Sequence, residues 1–223
     1  MSITLLPTVT TNAAGTFFDS SDGYVAGGMA VVDPAALQKL EIGMVASAAT
    51  ALLYGGVGLT VNTPSSGSLA GPQVNIATAI GNLLGFAVWD QAAAGIVTPQ
   101  SPAAVYGPGQ TMSFFTFGSG ACIALPISNA NATALLNVAK NTQLSWDYTN
   151  QVVIPYASTG GNAGAIPGPL LNGTTPVAEI VDVAVGNSKV PVTSINYAVF
   201  GAPNPGAGQA AWYESGSVVV LRI

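Results

Sequence analysis

The sequence predicts a mainly β fold: a single β-sandwich or β-barrel-like domain with two short helices and an extended N-terminal arm. Short apolar runs rich in β-branched and aromatic residues recur along the chain, and Gly, Pro and Asn turns separate them roughly every ten residues. Residues 1–30 lack such periodicity and are rich in Thr, Asn, Gly and Ser. We therefore expect 1–30 to form the arm and 31–223 the β-rich domain.

Two segments have the signals of short helices. Asp33 can cap a helix that begins at Pro34, places Leu37 and Leu40 on one face and ends at Gly43. A second helix is predicted over Asn131–Asn141, with Asn131 or Asn129 as its cap and Lys140 in its last turn.

The stretch Val105–Ile127 is the most strand-like part of the sequence. Its two apolar runs, Thr111–Phe117 and Ala121–Ile127, are joined by Gly118-Ser119-Gly120, which predicts a β-hairpin. Phe114 is expected on one face of this hairpin, with Phe115 and Cys122 as candidates for the other. Further strands are predicted over residues 85–89, 143–147, 151–156, 177–185, 190–200 and 217–223, with a long loop over 157–173.

The low content of charged residues limits the kinds of partner that the chain can bind. Only 6% of the residues are charged, against a usual figure of about 25%. A solitary soluble domain normally presents more charge, so we expect much of the surface to be covered by other protein. The net charge is −5 and the chain has four basic residues. Because nucleic-acid binding depends on Lys and Arg neutralising phosphates, no nucleic-acid partner is expected.

One segment has the length of a membrane span. Ile42–Val61 contains no charge, but it consists mostly of small residues, is interrupted by Gly55-Gly56 and Gly58, and lacks flanking basic or aromatic anchors. We expect a buried strand pair or helix there, and no membrane. The first residues have no basic cluster, so a signal peptide is not expected.

Residue types that carry catalysis are scarce. The chain has no histidine and one cysteine, which excludes His-based triads, His-containing zinc sites and thiolate clusters. Cys122 is expected to be a small buried hydrophobe. Glu179 and Asp182 could form a glycosidase-like carboxylate pair only if both side chains pointed to the same face of a strand. Residues three apart on a regular strand point to opposite faces, so this pair is not expected.

Two local motifs have simpler interpretations as turns. Gly206–Ala211 fits a dinucleotide-binding spacing, but Pro203 and Pro205 precede it where a strand is required. Asp19–Gly23 has the start of a calcium loop without its later ligands, so an Asx-type turn is expected. The sequence therefore predicts no catalytic, cofactor-binding or metal-binding residue.

The order of several short motifs resembles the head decoration, or structural cement, proteins of tailed bacteriophages. These proteins carry a glycine-hydrophobic-alanine segment, then a tyrosine and glycine before a strand, then a glycine turn and a second strand. The corresponding segments here are Leu84–Val88, Tyr106–Phe114, Gly118–Gly120, Ala121–Leu125 and Leu144–Asp147, with Gly216–Ile223 suited to a closing strand.

The resemblance implies a structural virion protein without an active site. Such a protein is made in the host cytoplasm, lies on the outer surface of the capsid and bridges major capsid protein subunits. It is expected to bind the major capsid protein and copies of itself, with a trimer as one option. Phe17 and Phe18, in the predicted arm, have few local partners and would anchor onto a neighbouring chain.

Three other functions fit parts of the sequence. A tail, baseplate or fibre component shares the low charge, although fibres usually show internal repeats, which are absent. A carbohydrate-binding surface module could use Trp89, Trp146 and Trp212 as stacking platforms if their rings are exposed. An enzyme would have to rely on carboxylates among Asp147, Glu179 and Asp182.

Overall fold

The computed structural model describes residues 24–31, 34–47, 49, 53–63, 71–79, 81–89, 105–156, 163–165, 178–192 and 212–223. The fold is mainly β, as predicted. Two short helices are described, α1 (Pro34–Leu37) and α2 (Asn129–Ala134). The strands are β1 (Met29–Val31), β2 (Glu41–Val45), β3 (Leu53–Tyr54), β4 (Gly58–Asn62), β5 (Gln73–Ile76), β6 (Gly85–Ala87), β7 (Val105–Tyr106), β8 (Thr111–Thr116), β9 (Cys122–Ile127), β10 (Leu144–Asp147), β11 (Val152–Pro155), β12 (Ala163–Ala165), β13 (Glu179–Val192) and β14 (Trp212–Arg222).

The first half of the described chain forms a small closed barrel. Its five strands follow the order β2-β5-β4-β6-β8 and β8 closes onto β2. Neighbouring strands are antiparallel except β2 and β5, which are parallel. Closure leaves no free strand edge in the barrel. The short pair β3 and β7 contributes Leu53, Tyr54 and Tyr106 to the same buried cluster as the barrel interior.

The second half forms a larger mixed sheet. Its order is β12-β10-β11-β9-β14-β13, with β1 also paired to β9. The longest ladder joins β13 to β14, from Glu179 opposite Arg222 to Val192 opposite Trp212. The last six residues of β14 also pair with the whole of β9, from Ser217 opposite Ile127 to Arg222 opposite Cys122. The last strand of the chain thus lies inside this sheet, between β9 and β13.

The predicted hairpin is wrong, although both of its strands exist. Strand β8 pairs with β2 and β6 in the barrel, whereas β9 pairs with β1, β11 and β14 in the larger sheet. Gly118 and Gly120 have φ values of 85° and 78°, which turn the chain from one sheet into the other. The Gly120 N–H donates to the Ile223 carbonyl over 2.6 Å, so β9 is aligned with the distant β14 instead of with β8.

Both predicted helices form, but both are shorter than expected. Helix α1 ends at Leu37, and Gly43 lies inside β2, where an added Cβ would meet Val74 and Phe114 in the barrel. The expected cap of α1, Asp33, lies outside the described residues. Helix α2 is capped by Ser128, whose Oγ accepts from the Asn131 N–H over 3.2 Å, and not by an asparagine.

Helix α2 ends early for a local reason. Asn137 adopts a positive φ of 62°, a left-handed conformation that stops a helix, so Lys140 lies beyond the last turn. The Thr133 hydroxyl also donates back to the Asn129 carbonyl over 2.8 Å. This side-chain bond competes with regular helix geometry.

The later strand predictions are partly confirmed. Strands β6, β10 and β11 lie within the predicted segments, and β12 lies within the predicted 157–173 loop. Residues 179–185 and 190–192 of these predicted strands belong to the single strand β13, while 177 and 193–200 lie outside the described residues. Strand β14 begins five residues before the predicted strand at 217. The segment 42–61, where a buried strand pair or helix was expected, contributes to the strands β2, β3 and β4. No helix among the described residues has the length and apolar character to cross a membrane.

One hydrophobic cluster joins the outer side of the barrel to the larger sheet. Phe86 and Phe115 point out of the barrel and join Ile123, Trp146 and Leu221 of the larger sheet in the main buried cluster. The Phe86 and Trp146 rings meet edge to face with centroids 5.0 Å apart. Phe114 points the other way, into the barrel interior. The predicted opposition of Phe114 and Phe115 is therefore confirmed.

Gln151 connects the two sheets through buried polar contacts. It lies in the turn between β10 and β11 with a positive φ of 55° and is 6% exposed. Its Oε1 accepts from the Gly58 N–H of the barrel over 3.1 Å. Its Nε2 donates to the carbonyls of Ala77 over 2.9 Å and Tyr148 over 2.8 Å. One side chain thus holds the barrel backbone against the β10–β11 turn.

Candidate interaction surface

The carboxylates considered for catalysis are engaged in structural contacts. Asp147 accepts from the Thr149 N–H over 2.9 Å, the Asn150 N–H over 3.1 Å and the Asn150 Nδ2 over 2.7 Å. Partial burial opposes ionisation, but these hydrogen bonds from Asn150 and Thr149 outweigh it and lower the pKa of Asp147. Asp147 therefore organises the turn that also contains Gln151.

Glu179 and Asp182 share one face of the sheet, so the expectation that they point to opposite faces is wrong. Ile180 lies opposite Leu221 and Asp182 opposite Val220, which leaves Val181 as an extra residue in β13. This β-bulge shifts the alternation by one position. The two carboxylates nevertheless have separate partners. Glu179 accepts from the Arg222 guanidinium over 2.7 Å, and Asp182 accepts from the Tyr24 hydroxyl over 2.6 Å.

The Tyr24–Asp182 contact has an electrostatic consequence. The hydrogen bond to Asp182, together with burial and the nearby negative charge, raises the pKa of Tyr24 to about 12. The phenol therefore stays protonated and keeps donating to Asp182 over the whole physiological range. Tyr24 precedes β1 and Asp182 lies in β13, and these two strands are not neighbours in the sheet. The hydrogen bond therefore links two parts of the sheet that are not joined by strand pairing.

The remaining candidates for reactive or ligand-binding residues are buried or lie outside the described residues. Cys122 is buried, as predicted, at 5% exposure. No group of three or more His, Cys, Asp or Glu side chains that could hold a metal occurs within the described ranges. The motifs Asp19–Gly23 and Gly206–Ala211 lie outside those ranges, as do Phe17 and Phe18.

The three tryptophans considered as stacking platforms for a carbohydrate do not form an exposed set. Trp146 is fully buried in the main core, and the prediction that it could serve as an exposed platform is wrong. Trp89 is partly buried, and the side chain of Trp212 is not among those that the structure describes. A buried indole cannot stack on a sugar ring, because both faces of the indole are already in contact with protein.

The barrel presents a face without charge, which we call the uncharged barrel face. Along β2, β4 and β5, one set of alternating residues packs into the barrel and the other points outward. Ile42 belongs to the outward set and, at 63%, is the most exposed large hydrophobic side chain among the described residues. The outward residues are Ile42, Met44, Thr60, Asn62, Gln73 and Asn75.

The borders of this face are polar and partly fixed. Glu41 accepts from the Thr116 hydroxyl over 2.8 Å, and the Lys39 ammonium donates to the Gly118 carbonyl over 3.1 Å. Thr60 and Asn75 lie directly opposite each other on β4 and β5. The low charge content predicts a surface covered by other protein. Local sequence patterns do not give the barrel order β2-β5-β4, so they could not show where this face lies.

The root of the predicted arm is integrated into the larger sheet. Val25 and Ala26 are buried, and Met29 and Val31 of β1 lie opposite Ile123 and Cys122. Gly27 has a φ of 80°, and a Cβ at this position would overlap the backbone of Gly55 and Gly56, so only glycine fits between the two segments. The expected boundary after residue 30 thus falls inside β1, and residues 1–23 lie outside the described part.

Comparisons with known proteins gave no match. Neither the protein-family models, nor the curated proteins, nor the solved structures contain one that resembles this chain at a significant level.

Proposed function

We propose that this chain is a structural virion protein that decorates and cements the outer surface of a bacteriophage capsid by bridging major capsid protein subunits. The observation that supports the proposal most directly is the uncharged barrel face, with the exposed side chain of Ile42 on it and only 6% charged residues in the whole chain. Protein interfaces are depleted in charge at their centres, whereas a surface facing only water has no such requirement.

A protein that cements a capsid has to resist force, and two features of this fold meet that requirement. A closed barrel has no free edge that could add strands at random. The outer side of the barrel packs against the larger sheet in one buried cluster that includes Phe86, Phe115 and Trp146, and Gln151 adds polar contacts between them. A force applied to the barrel face is therefore transmitted into one packed body. On this proposal the protein acts at the capsid surface, with the major capsid protein and further copies of itself as partners.

The experiment compares particles that carry the protein with particles that lack it. Heating and chelator treatment should open the particles that lack it at lower severity, and adding back the purified protein should restore resistance. Unchanged resistance and unchanged shell density in the particles that lack the protein would overturn the proposal. A location in the tail or baseplate instead of the shell would favour the alternative role as a tail component.

A surface variant tests the face itself. Introducing Thr60→Lys and Asn75→Lys together places two positive charges opposite each other on the uncharged barrel face. If this face binds the capsid, its affinity should fall at least about 30-fold, the effect of losing roughly 2 kcal/mol at an interface centre. The matched control is Leu136→Lys, at a side chain that is 45% exposed in the turn after α2. Its binding should stay within about twofold of the unmodified protein.

A further inference from the structure

Strands β13 and β14 continue together beyond the rest of the larger sheet. Strand β9 ends at Ile127, opposite Ser217, so β14 pairs with β9 only from Ser217 onward. In the described sheet, residues 188–192 and 212–216 pair with each other alone. We call these two segments the ribbon. At about 3.3 Å per residue the ribbon extends roughly 16 Å past β9. A two-stranded ribbon is only marginally stable in water, so its direction depends on how its base is held.

The ribbon leaves the sheet at an irregular step in β13. Ala184 lies opposite Val218. The next printed pair, Ser188 opposite Gly216, lies four residues further along β13 but only two along β14. Such an insertion bends a strand. Gly186 lies inside the step with a φ of 75°, and a Cβ added there would meet no atom within 4 Å. Side-chain packing around Gly186 therefore does not fix the bend.

A chain of hydrogen bonds ties this step to helix α2. The Gly186 N–H donates to Ser217 Oγ over 2.9 Å, and the Ser217 hydroxyl donates to Asn129 Oδ1 over 2.6 Å. One hydroxyl can accept and donate at the same time, so both bonds are compatible. Ser217 is 1% exposed, which shields these bonds from water. Gly186 and Ser217 belong to the two strands of the ribbon, whereas Asn129 begins α2. The bond from Ser217 to Asn129 therefore links the base of the ribbon to the helix.

A second serine holds the base of the ribbon from the other face of the sheet. Ser188 lies opposite Gly216, the residue before Ser217, and neighbours along a strand point to opposite faces. Ser188 is fully buried, and its Oγ accepts from the Tyr24 N–H over 3.1 Å. The base is thus held on one face by Asn129 through Ser217 and on the other face by Tyr24 through Ser188.

We propose that the ribbon is a hinged element that pivots at the step around Gly186, and that the Asn129 side chain, acting through Ser217, is the lock that fixes its direction. When Asn129 loses its acceptor, Ser217 still accepts from Gly186 but no longer connects the ribbon to α2. The ribbon then samples a wider range of directions while the body of the protein keeps its structure. This inference concerns the free protein and does not depend on the proposed capsid role.

The test measures the direction of the ribbon with two nitroxide spin labels and double electron–electron resonance. The single native thiol is removed by Cys122→Ala. One label is placed on the ribbon by Lys189→Cys and the other on the barrel by Leu84→Cys, at a side chain that is 44% exposed. A reference pair within the body uses Leu84→Cys with Leu136→Cys, the latter at a 45% exposed side chain after α2.

The lock is removed from each side in the full-length chain. Asn129→Ala deletes the acceptor and Ser217→Ala deletes the bridging hydroxyl. We expect either change to widen the distance distribution of the ribbon pair about twofold or more, as for a released hinge. Asn129→Asp keeps an acceptor oxygen and should retain the native width.

Matched controls separate the lock from a general loss of packing. Asn131→Ala removes an amide from the same helix, and Ser145→Ala removes a serine hydroxyl that is also 1% exposed but lies in β10. Both should leave the ribbon pair unchanged. The reference pair should keep its width in every variant, and circular dichroism checks that each variant is folded.

The outcomes are distinct. Widening of the ribbon pair alone, in Asn129→Ala and Ser217→Ala but not in Asn129→Asp, supports the lock. An unchanged ribbon pair in the folded Asn129→Ala and Ser217→Ala variants would overturn it. Equal widening of the reference pair would mean that the whole body has loosened, and equal widening in Ser145→Ala would mean that any buried serine has this effect. Either result would also contradict a hinge locked by Asn129.

Discussion

Replacing Gln151 by methionine tests how the barrel is held against the larger sheet. Methionine keeps a similar length and volume but removes the three hydrogen bonds to Gly58, Ala77 and Tyr148. The Tyr148 bond lies within the turn, so water can replace it when the turn loosens. The Gly58 N–H and the Ala77 carbonyl belong to the barrel, and they would lose a buried partner.

The expected cost follows from these two groups. A buried donor or acceptor left without its partner costs about 1–3 kcal/mol. Methionine loses about as much rotamer entropy on burial as glutamine, so the exchange brings no entropic offset. We expect a loss of about 3 kcal/mol in the free energy of unfolding. For a chain of this size, that corresponds to a Tm lower by about 6–12 °C.

The assay is urea and thermal unfolding, followed by circular dichroism. The control is the same exchange at an exposed position, Gln110→Met, where Gln110 Oε1 accepts from the nearby Gly107 N–H over 2.7 Å. That variant should lose about 0.5 kcal/mol or less. If Gln151→Met and Gln110→Met cost the same, Gln151 does not hold the two sheets together and the reasoning fails.

Three further variants test the turn at Asp147, the Tyr24 contact and the close strand packing in the barrel. Asp147→Asn should cost about 1 kcal/mol at pH 7. Because the pKa of Asp147 is lowered in the folded protein, this contribution is present above the ordinary aspartate pKa and disappears as the pH falls through the lowered value; a difference that persists in strong acid would contradict it. Tyr24→Phe should remove one phenol that titrates near pH 12 in ultraviolet difference spectra. The stabilisation by the Tyr24 hydroxyl is present below pH 10 and is lost as the pH rises through 12, since its pKa is raised on folding; if the phenol that disappears titrates near the ordinary pH of 10 instead, the contact is refuted. Gly85→Ala should cost about 2 kcal/mol or more, because a Cβ would overlap the Phe115 carbonyl of the paired strand. Gly71→Ala, at a φ of 74° with open space around it, should cost only about 1 kcal/mol of backbone strain, and equal costs would argue against the close packing.

Local patterns in the sequence were sufficient for the fold class and for several elements. Strands β10 and β11 were predicted because apolar runs flank the turn Tyr148-Thr149-Asn150, and the structure pairs Leu144–Asp147 with Val152–Pro155. The opposition of Phe114 and Phe115 followed from the two-residue period of a strand. These features depend only on residues close together in the chain.

Partner choice between strands was not predictable from the same patterns. The runs on either side of Gly118–Gly120 had every local signal of a hairpin, but β9 pairs with β14, about a hundred residues later in the sequence. The bulge at Val181 was likewise invisible, because it is defined by the register against Val220 and Leu221. Both errors arose where long-range pairing overrides local preference.

Gln151 was missed for a related reason. In the sequence it is one more polar residue after a turn, and nothing local indicates that Gly58 and Ala77 lie beside it. The uncharged barrel face was anticipated only as a property of the whole chain. Its location required the order of β2, β5 and β4 around the barrel. The composition therefore predicted the kind of surface but not its place.

The most direct test of the proposed function is the position of this protein in a reconstruction of the particle by cryo-electron microscopy. We predict density for it on the outside of the shell, with the face that contains Ile42 and Thr60 against the major capsid protein at a contact between subunits. Particles assembled with the Thr60→Lys and Asn75→Lys variant should lack that density. Density inside the shell or only on the tail, or full occupancy by the variant, would contradict the account.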